Sequence, residues 1–217
     1  MKYFLLTAIS FLPVAVFCQQ KIIVAQDGSG KYKTVQAAFN TIPVHNKKPV
    51  TVFIKQGIYK EKLHLDSTKN FVTLIGEDKF KTILTYDDHT GKPEHKGDTV
   101  NTRTSWSFMI KGNNFTARNI TFQNDAGFTA GQAVAVEVQG DKAAFYNCRF
   151  IGNQDVLFTN SDSSRQYYQD CYIEGSTDFI FGSATAWFER CHIHSKKNSH
   201  VTAASTPKDH LYGYVFN

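Results

Sequence analysis

Residues 148–158 read CRFIGNQDVLF, and residues 171–181 read CYIEGSTDFIF. Cys, Gly, Asp and Phe occupy the same four places in both stretches, and 23 positions (171 minus 148) separate each pair. A weaker third copy, WFERCHI, spans residues 187–193, and residues 115–122 (FTARNITF) have the same outline. Repeats of this length are typical of solenoids, in which each repeat stacks on the next. We therefore expect equal positions of successive repeats to lie about one strand spacing apart, ~4.8 Å.

The segments around these repeats are short and rich in β-branched and aromatic residues. Residues 50–54, 71–75 and 133–138 are examples, and Gly, Asn and Asp separate the runs. Such runs predict strands. Because no long helix alternates with them, the pattern favours an all-β parallel β-helix over a leucine-rich-repeat horseshoe.

One short amphipathic helix is predicted near the N-terminus. Its apolar residues recur with helical spacing at Val35, Ala38, Phe39 and Ile42. Thr34 is available to begin the helix, and Pro43 is expected to end it. The preceding Gly-rich residues 25–30 lack the Gly-Lys-Ser/Thr ending of a phosphate-binding loop, and we interpret them as a turn.

Residues 1–18 have the pattern of a signal peptide, with cleavage expected after Cys18. A lipoprotein reading of Cys18 fits poorly because bulky Phe17 precedes it. We expect residues 19–217 to form one exported domain that neither crosses a membrane nor binds nucleic acid. The formal charge of +5 would suit an acidic polymer as partner, although it would equally serve solubility.

Cys148, Cys171 and Cys191 share one repeat position and are expected to stack inside the solenoid. Either they are buried thiols, or one bridge forms, with Cys171 to Cys191 as the candidate, because an exported protein meets an oxidising compartment. A metal site is not expected, since the cysteines and histidines lack the close pairing that zinc prefers. His192 and His194 are interpreted as surface residues on one strand face.

The repeat also predicts a strip of polar and aromatic side chains on one face. Asp155 lies one repeat before Asp178, and Gln132 precedes Gln154 by 22 positions (154 minus 132). Such ladders can simply stabilise solenoid turns. Matched aromatic residues favour a carbohydrate site, because sugar rings rest on aromatic faces. The complete strip contains Gln132, Gln154, Asp155, Phe158, Asp178 and Phe181.

Five ordered motifs carry a family resemblance. They are DGSGKYKTVQ (27–36), GIYKE (57–61), GQAVAV (131–136), GNQDVLF (152–158) and DFIFG (178–182). Together they resemble the successive signature motifs of pectin methylesterases. The resemblance implies a right-handed parallel β-helix with a short N-terminal capping helix. It also implies a secreted enzyme that is monomeric when full length, needs no metal or cofactor, and acts on methyl-esterified pectin (homogalacturonan).

The resemblance implies a role for each residue of the strip. Asp178 would be the nucleophile, and Asp155 the general acid that later acts as base. Gln132 and Gln154 would stabilise the oxyanion. The sugar would contact Phe181 and Phe158, the latter at a position where many relatives have Tyr.

One family motif has no counterpart in the sequence. A downstream Leu-Gly-Arg-Pro-Trp, whose arginine pairs with the nucleophile, is absent, and we expect the chain to stop before the final coils. Activity of the chain as it stands is therefore expected to be poor. Two other functions remain open on the same fold, namely a polysaccharide glycosidase or lyase and a catalytically silent polysaccharide-binding protein.

Overall fold

The structure is a computed structural model that describes residues 20–94 and 97–217. The predicted signal peptide, residues 1–18, lies outside the described residues. In chain order, the helix and strands are β1 (Gln20–Val24), α1 (Val35–Asn40), β2 (Val50–Ile54), β3 (Gly57–Lys60), β4 (Leu63–Leu65), β5 (Val72–Gly76), β6 (Thr82–Tyr86), β7 (Phe108–Ile110), β8 (Thr116–Arg118), β9 (Thr121–Asn124), β10 (Val136–Val138), β11 (Ala143–Tyr146), β12 (Arg149–Ile151), β13 (Leu157–Thr159), β14 (Arg165–Gln169), β15 (Tyr172–Gly175), β16 (Ile180–Gly182), β17 (Thr185–Glu189), β18 (His192–Ser195), β19 (Thr202–Ala204) and β20 (Tyr214–Phe216). A 3₁₀ turn spans Thr102–Thr104.

The strands form three parallel sheets. Sheet 1 has the order β1-β2-β5-β8-β11-β14-β17-β20, sheet 2 the order β3-β6-β9-β12-β15-β18, and sheet 3 the order β4-β7-β10-β13-β16-β19. Each coil contributes one strand to each sheet in turn, so every strand pairs with its counterpart one coil away. The predicted all-β parallel β-helix is confirmed.

Aromatic side chains stack along the interior with the spacing of the strands. The ring centroids of Phe145 and Tyr168 are 4.9 Å apart, those of Tyr168 and Phe188 are 4.8 Å apart, and those of Phe188 and Phe216 are 4.6 Å apart. Neighbouring parallel strands lie ~4.7–4.9 Å apart. Equal positions of successive coils therefore contact one another, as the repeats predict.

Helix α1 covers the N-terminal end of this interior. Thr34 caps it by accepting from the backbone N–H of Ala37, and the Glu61 carboxylate accepts from the first N–H groups at 2.8 and 3.0 Å. Phe39 of the helix stacks on Phe108, with centroids 5.5 Å apart. The predicted capping helix is thus present, but it ends at Asn40, two residues before the buried Ile42 that belongs to its apolar pattern.

Two further expectations were refined by the structure. Residues 50–54 are a strand as predicted, whereas only residues 136–138 of the predicted run 133–138 are strand, because the earlier residues turn the corner into sheet 3.

The three cysteines are free thiols at equal positions of successive coils, with Cys148 and Cys171 buried and Cys191 half-buried. Burial raises the pKa of the Cys171 thiol, so the thiol form is favoured there.

A core substitution tests the stacked interior. Phe145 is fully buried and contacts rings from its own coil and the next. Because Phe145→Ala leaves a cavity there, it should lower the free energy of unfolding by about 3–5 kcal/mol. Urea unfolding measures this value. Phe128→Ala, at a side chain 57% exposed, is the control and should change stability by less than ~0.5 kcal/mol. Equal effects of the two substitutions would contradict the packing described above.

Candidate active site

Two aspartates lie at the corner between sheet 2 and sheet 3, just before β13 and β16. The glycine that recurs in the sequence makes this corner tight. A Cβ at Gly175 would lie 2.2 Å from the Cβ of Phe179, and one at Gly152 would lie 2.9 Å from Val156 Cγ2. Because such distances are too short for real carbon atoms, glycine lets the chain bend sharply and present the following aspartate.

The strand register places Asp155 and Asp178 above one another. Phe158 pairs with Phe181 in the parallel ladder, and each aspartate precedes its phenylalanine by three residues. The backbone N–H of Asp155 donates to the Thr177 carbonyl at 3.2 Å. Both aspartates have left-handed backbone angles, with φ of 63° and 47°. The structure therefore brings together the two carboxylates that the sequence places on neighbouring coils.

Burial and charge give the two carboxylates different environments. Asp155 is 8% exposed, while Asp178 is half-buried. Burial, and secondly the charge of Asp178, raise the pKa of Asp155 to about 7. Both effects act in this direction because each disfavours the charged form of Asp155. Asp155 is therefore partly protonated at neutral pH and mostly protonated below it.

The two glutamines flank the aspartate pair on consecutive coils. Gln132 forms a parallel bridge with Gln154, and Gln154 forms one with Thr177. Both glutamines are half-buried. Within residues 20–94 and 97–217, no group hydrogen-bonds to either side-chain amide, which leaves their N–H donors free for a ligand.

The two phenylalanines form a flat aromatic surface beside the aspartates. The rings of Phe158 and Phe181 stack with centroids 4.3 Å apart and planes 9° apart. Both side chains are on the outer face of sheet 3. Phe158 is 6% exposed and Phe181 is half-buried, and we call the strip that they form with the aspartates and glutamines the groove.

Two charged residues of the groove were missed by the sequence analysis. The Arg103 guanidinium lies 5.8 Å from the centroid of the Phe158 ring, and none of the described carboxylates pairs with it. Glu137 lies beside Phe158 in the ladder and is 2% exposed. Its Oε1 accepts from Gln139 at 2.6 Å and from Asn160 at 2.8 Å, and its Oε2 has no partner in the described chain.

The sequence pattern could have indicated Glu137 as an outward-facing residue, but it could not have indicated Arg103. Glu137 follows a pattern, because it is the outward residue between Val136 and Val138 of a three-residue strand. Arg103 sits in a 3₁₀ turn far from the repeats, and no spacing in the sequence relates it to Phe158. Only the folded chain shows that Arg103 reaches the groove.

The described residues offer no candidate metal site and no candidate membrane-spanning helix. Those residues contain no group of three or more side chains that could hold a metal ion. His192 and His194 lie on one strand face, both exposed, and His192 stacks on Tyr172 with centroids 5.2 Å apart. The part of the chain that the structure describes has no helix long and apolar enough to span a bilayer.

A parallel β-helix with paired aspartates and stacked aromatic rings on one face is typical of proteins that bind or modify polysaccharides. The family model described as Pectinesterase matches residues 21–209. The chain therefore belongs to the pectinesterase family.

Individual relatives agree with this assignment. The chain is 43% identical over 198 residues to Pectinesterase 31 of Arabidopsis thaliana, covering 89% of this chain and 62% of that protein. It is 41% identical over 174 residues to a pectinesterase of Petunia integrifolia, covering 80% of this chain and 44% of that protein. The chain thus spans less than two thirds of the length of these relatives.

Solved structures confirm the fold. The pectin methylesterase from carrot superposes with a TM-score of 0.84 at 34% identity, covering 92% of this chain and 62% of that chain. A pectin methylesterase in complex with a hexasaccharide gives a TM-score of 0.82 at 28% identity, covering 90% of this chain and 66% of that chain. The fold is accordingly the right-handed parallel β-helix that the resemblance implied.

The asymmetry of the aspartate pair can be measured directly. The Asp155 carboxyl should titrate near pH 7 in carbon-detected NMR of aspartate-labelled protein. In Asp178→Asn its pKa should fall, because the neighbouring charge is gone, yet stay above 3.8, because burial remains.

Asp141 serves as the control, because its hydrogen bond with Arg165 lowers its pKa, and it should titrate below the ordinary range of an aspartate. A pKa of Asp155 that does not change in Asp178→Asn would contradict the coupling between the two carboxylates.

Proposed function

We propose that this protein hydrolyses the methyl esters of galacturonate units in pectin through an acyl-enzyme on Asp178. The observation that carries the proposal is the aspartate pair on adjacent coils, in which Asp155 holds a proton near neutral pH. Such a pair supplies a carboxylate nucleophile and a proton donor at once. Family membership gives the class of bond that these groups would act on.

In the first half of the proposed reaction, the Asp178 carboxylate attacks the ester carbonyl carbon. The carbonyl oxygen becomes an oxyanion, which the amides of Gln132 and Gln154 stabilise by donating hydrogen bonds. The C–OCH₃ bond then breaks, and Asp155 gives its proton to the departing oxygen. Methanol leaves, and an anhydride joins Asp178 to the sugar carboxyl group.

In the second half, Asp155 is an anion and acts as a base. It takes a proton from a water molecule as that water attacks the sugar carbonyl of the anhydride. The bond to Asp178 breaks, which releases galacturonic acid and restores the Asp178 carboxylate, and the acid then loses its remaining proton to solvent. Asp155 again carries a proton, so the pair is ready for another cycle.

The groove offers contacts to the rest of the polymer. Phe158 and Phe181 present stacked rings to a sugar, and Arg103 places a positive charge beside them. Trp106 lies farther toward the N-terminal end, with Lys62 Nζ 4.9 Å from its ring centroid. Alternating aromatic and cationic groups suit a chain of acidic sugars.

Secretion, a single domain over residues 19–217 and a monomeric state belong to the same proposal. The pattern of residues 1–18 supports secretion, as pectin is an extracellular polymer. A glycosidase would also use two carboxylates close together, but it shortens the polymer. An esterase releases methanol and leaves the polymer length unchanged, so product analysis separates the two.

Substitution of the proposed nucleophile tests the function. In the complete enzyme, Asp178→Asn should abolish methanol release from methyl-esterified pectin, because an amide cannot attack the ester. The fold should survive, since asparagine tolerates the left-handed angle of this residue. Circular dichroism checks the fold, and an alcohol oxidase assay measures methanol.

The matched control is Asp162→Asn, at an exposed loop residue, which should release methanol at the wild-type rate. Retention of activity within about tenfold in Asp178→Asn, a loss of only ~1.4 kcal/mol of transition-state stabilisation, would exclude Asp178 as nucleophile. Full-length wild-type protein that binds pectin tightly but releases no methanol would instead favour the silent polysaccharide-binding function.

A further inference from the structure

Three cations lie along the corner where sheet 1 turns into sheet 2. They are Lys79, Arg118 and Arg149, and with the rings of Phe80, Tyr146 and Tyr172 they form what we call the cationic corner. This corner belongs to a different edge of the solenoid from the aspartate pair, which lies between sheets 2 and 3. It takes no part in the proposed reaction.

One half of the cationic corner is built around Arg149. Its guanidinium lies 5.1 Å from the Phe80 ring centroid and 5.6 Å from that of Tyr172. Lys79 Nζ lies 5.2 Å from the Phe80 centroid. These four side chains line a cavity of about 240 Å³. Phe80 is 61% exposed, so an apolar edge stands in solvent beside two positive charges.

The other half of the cationic corner is connected to the first by asparagines. Arg118 lies 4.0 Å over the Tyr146 ring centroid. The next residue on that coil, Asn147, accepts from Lys79 Nζ at 2.5 Å and donates to Asn119 at 2.8 Å. Both asparagines have left-handed backbone angles, as single residues that turn the chain between sheets. The positions of Arg118 and Lys79 are therefore tied to the same turn.

The charges of the corner are not neutralised by the protein. None of the carboxylates in the described part of the chain forms an ion pair with Lys79, Arg118 or Arg149. Other arginines do pair, such as Arg165 with Asp141 at 2.6 Å. Asp170, the nearby acid whose pKa Lys79 helps to lower, is itself held by Arg190 at 2.9 Å. The corner keeps an excess of positive charge next to exposed aromatic surface.

We propose that the cationic corner binds polygalacturonate, the de-esterified polymer, at a second site apart from the aspartate groove. Each unit of this polymer offers a carboxylate to the cations and a C–H face to Phe80, so both features of the corner are used. The choice of polymer rests on the proposed function, which makes this polyanion as its product. Binding there would keep the enzyme on a chain that it has partly processed and raise the local concentration of remaining esters.

The test follows backbone amide NMR signals during titration with an unmethylated oligogalacturonate of about ten units. The signals of residues 147–149 and 119 should shift in the wild type, which separates corner binding from groove binding. In Lys79→Gln/Arg149→Gln, the dissociation constant reported by those signals should rise about tenfold at low salt, from the loss of two charge contacts at half-buried side chains.

A control removes the same charge elsewhere. Lys47→Gln/Lys208→Gln also loses two cations, both at exposed positions, and it should keep the dissociation constant within about twofold. Equal weakening in both double variants would mean that only net charge matters and would overturn the proposal. Shifts confined to residues 154–158, with none at the corner, would also overturn it.

The test of the second binding site can fail or succeed independently of the test of the esterase activity. Methanol release from a short methyl-esterified oligogalacturonate should be the same in Lys79→Gln/Arg149→Gln as in the wild type. Corner shifts in a full-length protein that releases no methanol would refute the esterase while leaving the second binding site intact. Normal methanol release without corner shifts would refute the second site alone.

Discussion

Backbone pairing between successive coils is the interaction on which the rest of this structure depends. Parallel strands ~4.8 Å apart hold each position of one coil above the same position of the next. Inside, this spacing stacks Phe145, Tyr168 and Phe188 at ring distances of 4.9 and 4.8 Å. On the outer surface, the same spacing holds equal side chains of successive coils together, including like-charged carboxylates that would repel each other in solution.

The aspartate pair shows what this constraint does to chemistry. Two carboxylates held on adjacent coils repel each other, and burial of Asp155 adds a further penalty for its charge. The combined effect raises the pKa of Asp155 to about 7, so Asp155 is partly protonated at neutral pH. A ladder that merely stabilised a turn would gain nothing from this arrangement, whereas ester hydrolysis uses a carboxylate and an acid side by side.

Features that recur at the repeat spacing were predictable from the sequence. The Cys, Asp and Phe ladders, the parallel β-helix and the capping helix were all predictable, because each follows from periodicity. Reasoning failed where contacts come from loops, as with Arg103, which reaches Phe158 from a 3₁₀ turn. The helix end was also misjudged, because Ile42 packs into the core from outside the helix and so mimics one more turn. The roles of the site residues and the export of the protein remain predictions.

Covalent trapping on Asp178 tests the central claim most directly. A nitrophenyl ester of an oligogalacturonate has a leaving group that needs no proton, so Asp155→Asn should still be acylated, while deacylation is slow without its base. Intact-protein mass spectrometry of Asp155→Asn should then show one added acyl group, which is lost in Asp155→Asn/Asp178→Asn. Steady nitrophenol release by Asp155→Asn without any adduct, or an adduct that persists in the double variant, would contradict an acyl-enzyme on Asp178.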